Sequence, residues 1–318
     1  MTAIETERFT RAIAAIDAAN ADDPNLVTVR GRTGPKEVLH AELVTEWVQR
    51  LATDPSDALL LAARGHHFRR WTVPRSSAPA GRAGYLRWRK SLQEQQASEL
   101  GALLVTVGYE NDVIGRVQTI VRKVGLEHDA DVQALEDALC LVFLETQLAD
   151  VAPRLEPETA QRVLLRTARK MSAAARTAIA ELPLDPAARE ALSVALAGDV
   201  VERYLAGLAD HDWDAVASTL APDVHRMGPY QDAYDGRAPY AAFLAEMIGA
   251  LGGYQLDVDR VHVAGATVAV ELRETVDDGD ARLETSEAVV FETDAGLISR
   301  VAVYLQTSER LPRDTQAG

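Results

Sequence analysis

The sequence predicts two domains of different class: an all-α unit over residues 1–196, an α+β unit over 197–310, and a disordered tail at 311–318. Three observations predict this. The chain has 318 residues, more than one ordinary core holds. Apolar residues recur at helical spacing through the first part and alternate in the last hundred residues. The formal net charge of −15 is uneven: up to residue 197, 24 Lys and Arg face 26 Asp and Glu, and beyond it 9 face 22.

Residues 5–20 place Phe9, Ile13 and Ile16 on one helix face, and Asp22-Asp23-Pro24-Asn25 stops that helix. A short extended piece over Leu26–Val29 leads to a turn over Gly31–Pro35. Pro35 opens the next helix, where its missing N–H costs nothing. Along it Leu39, Leu43, Trp47 and Leu51 form one stripe. His40 shares the adjacent stripe with Val44, Trp47 and Leu51, so it points inward. Asp54-Pro55-Ser56 caps a helix over Asp57–Phe68 that carries His66 and His67, and spacing leaves open which of them faces the core. Gly84–Val107 and Asp112–Lys123 read as further helices. Ala130–Val151 is apolar nearly all round, hence central and buried. Asp137 lies on its stripe with Leu141, Leu144 and Leu148, where a carboxylate requires a charge partner, hydrogen bonds or a metal. Helices near 156–171, 173–181 and 186–196 complete the first unit.

From Asp199 the pattern changes. A helical stretch, VVERYLAGLADHDWDAVASTLAP, precedes a turn-rich strand segment over His225–Arg237 and a short helix over Pro239–Leu251. Strands follow at Tyr254–His262, Thr267–Glu274, Arg282–Phe291 and Leu297–Gln306, separated by the turn sequences VAGA, DDGD and TDAG.

One window stands apart. Ala62–Lys90 holds both His66 and His67, eight cations and two tryptophans, with no acid, in an acidic chain. Arg69, Arg70, Arg75, Arg82, Arg87, Arg89 and Lys90 are candidates to clamp a phosphate or other anion, and Trp71, Tyr85 or Trp88 to stack on a ring.

Composition narrows the classes. The lone Cys140 sits in an apolar run and permits no disulfide framework, which fits a reducing compartment. The first twenty residues lack a signal-peptide core, and no apolar run approaches the ~18 residues that span a bilayer. A cytoplasmic protein without membrane contact is expected, and the acidic second half argues against nucleic acid.

Residues 197–310 resemble the SnoaL-like, or nuclear-transport-factor-2-like, superfamily through VERYLAGLADHDWDAVASTLAPDV and AVVFETDAGLISRVAVYLQ. The resemblance implies a curved antiparallel sheet wrapped by helices into a cone around an apolar pocket, usually in a homodimer. Trp213, His225, Tyr230, Asp232, Tyr234, Tyr240 and Tyr304 are candidates to line it, with His225 and Asp232 as the pair to test for acid–base work. Residues 8–195 are similar to the DUF4202 family through FTRAIAAIDAANADDP, the helix start around His40, HHFRRWTVPR, GRAGYLRWRK and VQALEDALCLVFLE, and that family name carries no activity. The N-terminal unit also resembles HD-domain metallophosphohydrolases: His40 precedes His66 by 26 residues, LLLAARGHHF reads like the HD helix, and Asp137 sits like the distant aspartate. His67 stands where that family has an aspartate, and Arg122-Lys123 where binuclear members keep a histidine.

The expectation is therefore a metal-dependent phosphohydrolase. One Zn²⁺, Mn²⁺, Fe²⁺ or Ni²⁺ on His40, His66, His67 and Asp137 would act on a nucleotide or other small phosphoester, with the cone as accessory. Two alternatives remain: a non-catalytic anion or nucleotide binder with a degenerate metal site, and small-molecule binding or isomerase- or cyclase-type chemistry in the C-terminal pocket.

Overall fold

The structure is a computed structural model and describes residues 3–126, 128–148 and 156–312. Contacts divide it into two compact units, residues 1–151 with 169–183 and residues 152–168 with 184–318.

The first unit is built from helices α1 (Ala3–Asn20), α2 (Lys36–Leu51), α3 (Asp57–Gly65), α4 (Gly81–Val107), α5 (Asn111–Val121), α6 (Ala130–Thr146) and, after the excursion of α7 (Pro157–Ala168) into the second unit, α8 (Ala173–Ala178). The expected turn after Val29 is a hairpin: β1 (Leu26–Val29) pairs antiparallel with β2 (Arg32–Pro35) around Arg30 and Gly31, both at positive φ. Asp23 accepts from the Glu37 amide and so closes the start of α2, while Ser56 caps α3. The α3 helix ends at Gly65 rather than Phe68, because Arg69 turns left-handed at φ 49° and short 3-10 turns follow. The α2, α3 and α6 helices pack together around Trp47, Leu59, Leu61, Leu135 and Leu141, all fully buried. As its all-round apolar sequence requires, α6 is the central helix.

The second unit begins earlier than expected. The helix α9 runs unbroken from Pro186 to Ala209, so the expected boundary at 196/197 falls inside it. The reason is local. Asp185 caps its start and Pro186 opens it, and nothing between them and His211, at φ 54°, breaks the turn pattern. The expected long helical stretch through residue 222 stops there, restarts as α10 (Trp213–Thr219) under an Asp212 cap, and gives way to β3 (Leu220–Met227). Then come β4 (Ala233–Asp235), α11 (Arg237–Gly249), β5 (Gln255–Ala264), β6 (Thr267–Asp278), β7 (Ala281–Asp294) and β8 (Leu297–Pro312).

These strands form one six-stranded sheet in the order β4-β3-β8-β7-β6-β5. The sheet is mixed, not wholly antiparallel as expected, since β3 runs parallel to β8. Register shifts between Val258 and Arg260, Ser286 and Glu287, and Glu292 and Thr293 bend the long strands. The β8 strand continues through Pro312, so residues 311 and 312 belong to it; the remainder of the expected tail, 313–318, lies outside the described residues. One face of the sheet packs on α9 and α11 through Tyr204, Leu208, Leu244, Val270, Leu272 and Phe291. Among the described residues no helix is long and apolar enough to cross a membrane.

Close packing where α3 ends sets a test. A Cβ on Gly65 would stand 2.5 and 2.7 Å from the two methyl carbons of Leu100. Gly65→Ala is expected to lower stability by roughly 1–3 kcal/mol, read as the shift in the urea midpoint.

Candidate functional site

Two polar centres stand out, one in each unit. In the first, the opening turns of α2 place Glu37 and His40 three residues apart, both buried. The turn after α3 brings His66 and His67 against them, with ring centroids 4.1 Å apart. A carboxylate accepts, so His67 Nδ1–H donates to Glu37 Oε2 at 3.2 Å, and its Nε2 accepts from Arg70 Nη1 at 3.3 Å. That pattern fixes His67 as a neutral imidazole. Burial, reinforced by the charges of Arg70 and Lys123, also holds its pKa well below the ordinary histidine value. His66 Nδ1–H donates to the Ala63 carbonyl at 2.8 Å, and burial together with neighbouring His67 depresses it. Burial lowers His40 against the opposing pull of Glu37, and raises Glu37 against the pull of His66 and Arg70.

Of two neighbouring carboxylates on α6, the ion-paired one is Glu136, not Asp137. Lys123 and Lys170 both ion-pair with Glu136, Lys170 at 3.0 Å. Burial acts to raise Glu136, but the two ammonium groups hold it at about 2. Asp137 accepts instead from Gln133 Nε2 at 2.9 Å and from the Ser172 amide at 2.8 Å. It lines a different groove, of about 360 Å³, beside Leu51–Pro55. Among the described residues no three His, Cys, Asp or Glu side chains converge to hold a metal ion. The expected set of His40, His66, His67 and Asp137 therefore does not fit a divalent metal. His66 and His67 lie ring against ring and His67 reaches Glu37, whereas Asp137 is held by Gln133 and the Ser172 amide, one 100° step along α6 from Glu136 and its lysines.

The expected anion clamp is likewise dispersed. Arg75 is spent on the Ala78 and Pro79 carbonyls, Arg69 is exposed, and Arg82, Arg87, Arg89 and Lys90 lie exposed along the first turns of α4. Tyr85 and Trp88 face each other at 6.0 Å, and Trp88 stacks under Arg70 at 5.5 Å. Of the expected arginines, only Arg70 touches the histidine cluster directly.

In the second unit strand alternation decides which side chains enter the cone. Val268, Val270 and Leu272 of β6 face inward, and Glu274 follows in the same phase; Val289 and Phe291 of β7 do likewise, with Glu287 in phase before them. Because Leu272 pairs with Glu287 and Glu274 with Thr285, the two glutamates are diagonal neighbours on one face. They are hydrogen-bonded, and Tyr254 OH donates to Glu274 Oε1 at 2.6 Å. Burial and the adjacent Glu274 push Glu287 up to about 9, so the pair retains one proton at neutral pH. Arg226 of β3 is buried beside them, ion-paired to Asp232, its Nε without a partner in the structure. Tyr204 and Tyr240 share a hydroxyl–hydroxyl hydrogen bond, and burial pushes Tyr240 up to about 12. These groups and a ring of aliphatic side chains enclose a cavity of about 70 Å³.

Most of the residues expected in this pocket lie outside it. Strand register sets His225 opposite Asp235, its partner at 2.7 Å, while the next residue, Arg226, turns into the cone and takes Asp232; the expected His225–Asp232 pair does not form. Tyr230 is 82% exposed in a turn, and Tyr304 is exposed because Val303 occupies the inward phase. Trp213 begins α10 beside His211, and Tyr234 stacks on Phe243 at 4.2 Å, within reach of Arg226. Of the candidates, Tyr240 alone lines the cavity. The pocket's working groups, Tyr204, Arg226, Glu274 and Glu287, were not foreseen. The available signal was acidic residues continuing the inward alternation of β6 and β7.

Residues 10–204 match the family described as a domain of unknown function, DUF4202, and residues 201–301 match the SnoaL-like domain. No curated protein matches the chain significantly. Among solved structures the chain is similar to an LEH-like epoxide hydrolase of M. tuberculosis, with 26% identity over 36% of this chain and 84% of that one, at a TM-score of 0.33. It is also similar to a protein of ketosteroid isomerase-like fold from Catenulispora acidiphila DSM 44928 solved with trimethylamine (16% identity, 33% and 84% covered, TM-score 0.31). A third is the epoxide hydrolase/cyclase-like enzyme SalBIII of salinomycin pyran-ring formation (18%, 35% and 91%, 0.32).

The carboxyl pair has a consequence for stability. In the folded chain Glu287 keeps its proton to about pH 9, whereas in the unfolded chain it ionises at the ordinary carboxylate value. The unfolded state therefore binds fewer protons across that window, and Glu287 weakens the fold increasingly as pH rises through it. Relative to the wild type, Glu287→Gln should be indifferent near pH 4 and progressively stabilising from pH 5 to 9, measured by denaturant unfolding at a series of pH values.

Proposed function

The chain belongs to the DUF4202 family, and we propose that its chemistry resides in the SnoaL-like unit, as proton transfer of isomerase or cyclase type on a small, largely apolar molecule bearing an oxygen function. The observation that carries this reading is the pair of buried Glu287 and half-buried Glu274, which retains one proton and faces a largely apolar cavity. A carboxyl group kept neutral at working pH is a proton donor, and its carboxylate neighbour is a base. Glu287 gives its proton to the substrate oxygen, Glu274 takes a proton from substrate carbon or hydroxyl, and the pair ends with the one proton it began with. That balance suits a rearrangement or ring closure. The unpartnered Arg226 Nε supplies a hydrogen bond for negative charge developing on oxygen. The cavity of about 70 Å³ holds a fragment of a substrate in this form. Met247, 38% exposed at its rim, is the flexible side chain whose movement admits the rest.

Phosphoester hydrolysis has no comparable support, since its metal ligands do not assemble. The test is incorporation of solvent deuterium into, or rearrangement of, a panel of small cyclic ketones, enones and hydroxy-epoxides, followed by proton NMR. Glu287→Gln and Glu274→Gln should each lose about 10²-fold or more in rate, while Arg70→Gln in the other unit should lose none. Turnover unaffected in both folded glutamine variants would sink the proposal, as would no reaction with any compound of the panel.

A further inference from the structure

The groove beside Leu51–Pro55 has no part in the C-terminal chemistry. It lies wholly within the first unit, and its volume is about 360 Å³. That is the size of a pocket that encloses a small molecule, about 300–1,000 Å³. One wall is a stripe of α6: Ala130, Gln133, Ala134 and Asp137 stand at i, i+3, i+4 and i+7 and so share a face. The two alanines leave room between α6 and the end of α2. Every charged side chain in the lining is acidic, and among the described residues no Lys, Arg or His joins them. Asp131 is already engaged by Arg116 at 2.6 Å. Asp54 is exposed at the lip and has no ion pair among the described residues. Asp137 is 4% exposed, deep in the wall.

The two oxygens of Asp137 differ. Oδ1 accepts from Gln133 Nε2 at 2.9 Å and from the Ser172 amide at 2.8 Å, which fills both of its lone pairs. Oδ2 receives no hydrogen bond and no ion pair from the described residues. Gln133 Nε2 also donates to the Lys170 carbonyl at 2.8 Å. Both amide hydrogens are therefore engaged, and turning the amide over would set its oxygen against two acceptors. Gln133 Oε1 is left as a second open acceptor, on a group already hydrogen-bonded to Asp137. A buried carboxylate without a counter-charge is costly, and a bound cation offsets that cost. We propose that the N-terminal unit holds a small primary amine in this groove, its ammonium group on Asp137 Oδ2 and Gln133 Oε1 and its apolar body along Ala130, Ala134 and Leu51. A guanidinium fork needs both oxygens of a carboxylate, and Oδ1 is full; an ammonium needs one. No metal ion is called for, since no third ligand side chain converges here among the described residues. Asp54 at the lip attracts the same charge from solvent.

The test is calorimetric titration of the full chain with n-butylammonium chloride at constant ionic strength, with n-butanol as the uncharged control. The wild type should bind the ammonium saturably at one site per chain, and n-butanol at least tenfold more weakly. Asp137→Asn keeps an oxygen for Gln133 and the Ser172 amide but replaces Oδ2 by a donor. It should weaken binding at least tenfold with the circular dichroism and melting profile of the wild type. Ala134→Leu fills the groove without touching Asp137 and should do the same, so the proposal stays open to refutation if the asparagine variant does not fold. A lysine capped at both ends as a diamide presents the same ammonium on a peptide and should bind at least tenfold more weakly than n-butylammonium; equal or tighter binding would assign the groove to a protein lysine and overturn a small amine as its ligand. No saturable binding to the folded wild type, equal binding of n-butanol, or unchanged affinity in the folded variants also overturns it. Heat of binding is read without any turnover, so neither result depends on the chemistry of the second unit.

Discussion

An ionised group inside a protein must find a counter-charge or give up its charge, and both units of this chain are arranged around that constraint. In the first unit the decisive group is Glu136. It sits on the most apolar helix, is nearly fully buried, and remains ionised because Lys123 and Lys170 reach it from the end of α5 and from the segment before α8. Those two contacts fix where α5 ends against α6 and where the returning chain docks. They also set the electrostatic background of the histidines. With two ammonium groups on one carboxylate, the surplus positive charge favours neutral imidazoles nearby, and burial acts in the same direction.

The second unit takes the other route. Glu287 has no cation of its own: Arg226 is committed to Asp232, whose carboxyl, despite its partial burial, is held below the usual value by that guanidinium. A second carboxyl beside it, Glu274, makes ionisation costlier still, so the proton stays. The sheet makes this neighbourhood unavoidable, since residues diagonal across an antiparallel pair share a face. Tyr254 and the Tyr204–Tyr240 pair complete a hydrogen-bonded floor under an aliphatic wall. Proton chemistry is the natural use of such a site, because the proton is held by the protein before any ligand arrives.

Much of the fold was legible in the sequence because it depends on periodicity. Apolar stripes announced α2 and α6, Pro and Asp pairs announced the helix ends, and alternation announced β5 to β8. What depends on tertiary pairing was not legible. The β3–β8 parallel pair leaves no local trace, and the continuity of α9 across a change of composition needed a capping pattern to be weighed above a charge count. The sites divide the same way. His40 was correctly placed inward by its stripe. Asp137 and Glu136 are adjacent on a helix that is apolar on every side, so spacing could not say which of two buried carboxylates takes the lysines and which the Gln133 and Ser172 hydrogen bonds. His225 and Arg226 were one residue apart on a strand, and one residue reverses the face.

His67 gathers these threads. By resemblance it occupied the place of a metal-binding aspartate, and the substitution looked like a loss. In the structure it has a carboxylate partner of its own, Glu37, one turn before His40 on α2. A carboxylate on one ring nitrogen and an arginine on the other leave no lone pair free for a metal, but they hold the imidazole rigidly at the edge of a cationic surface.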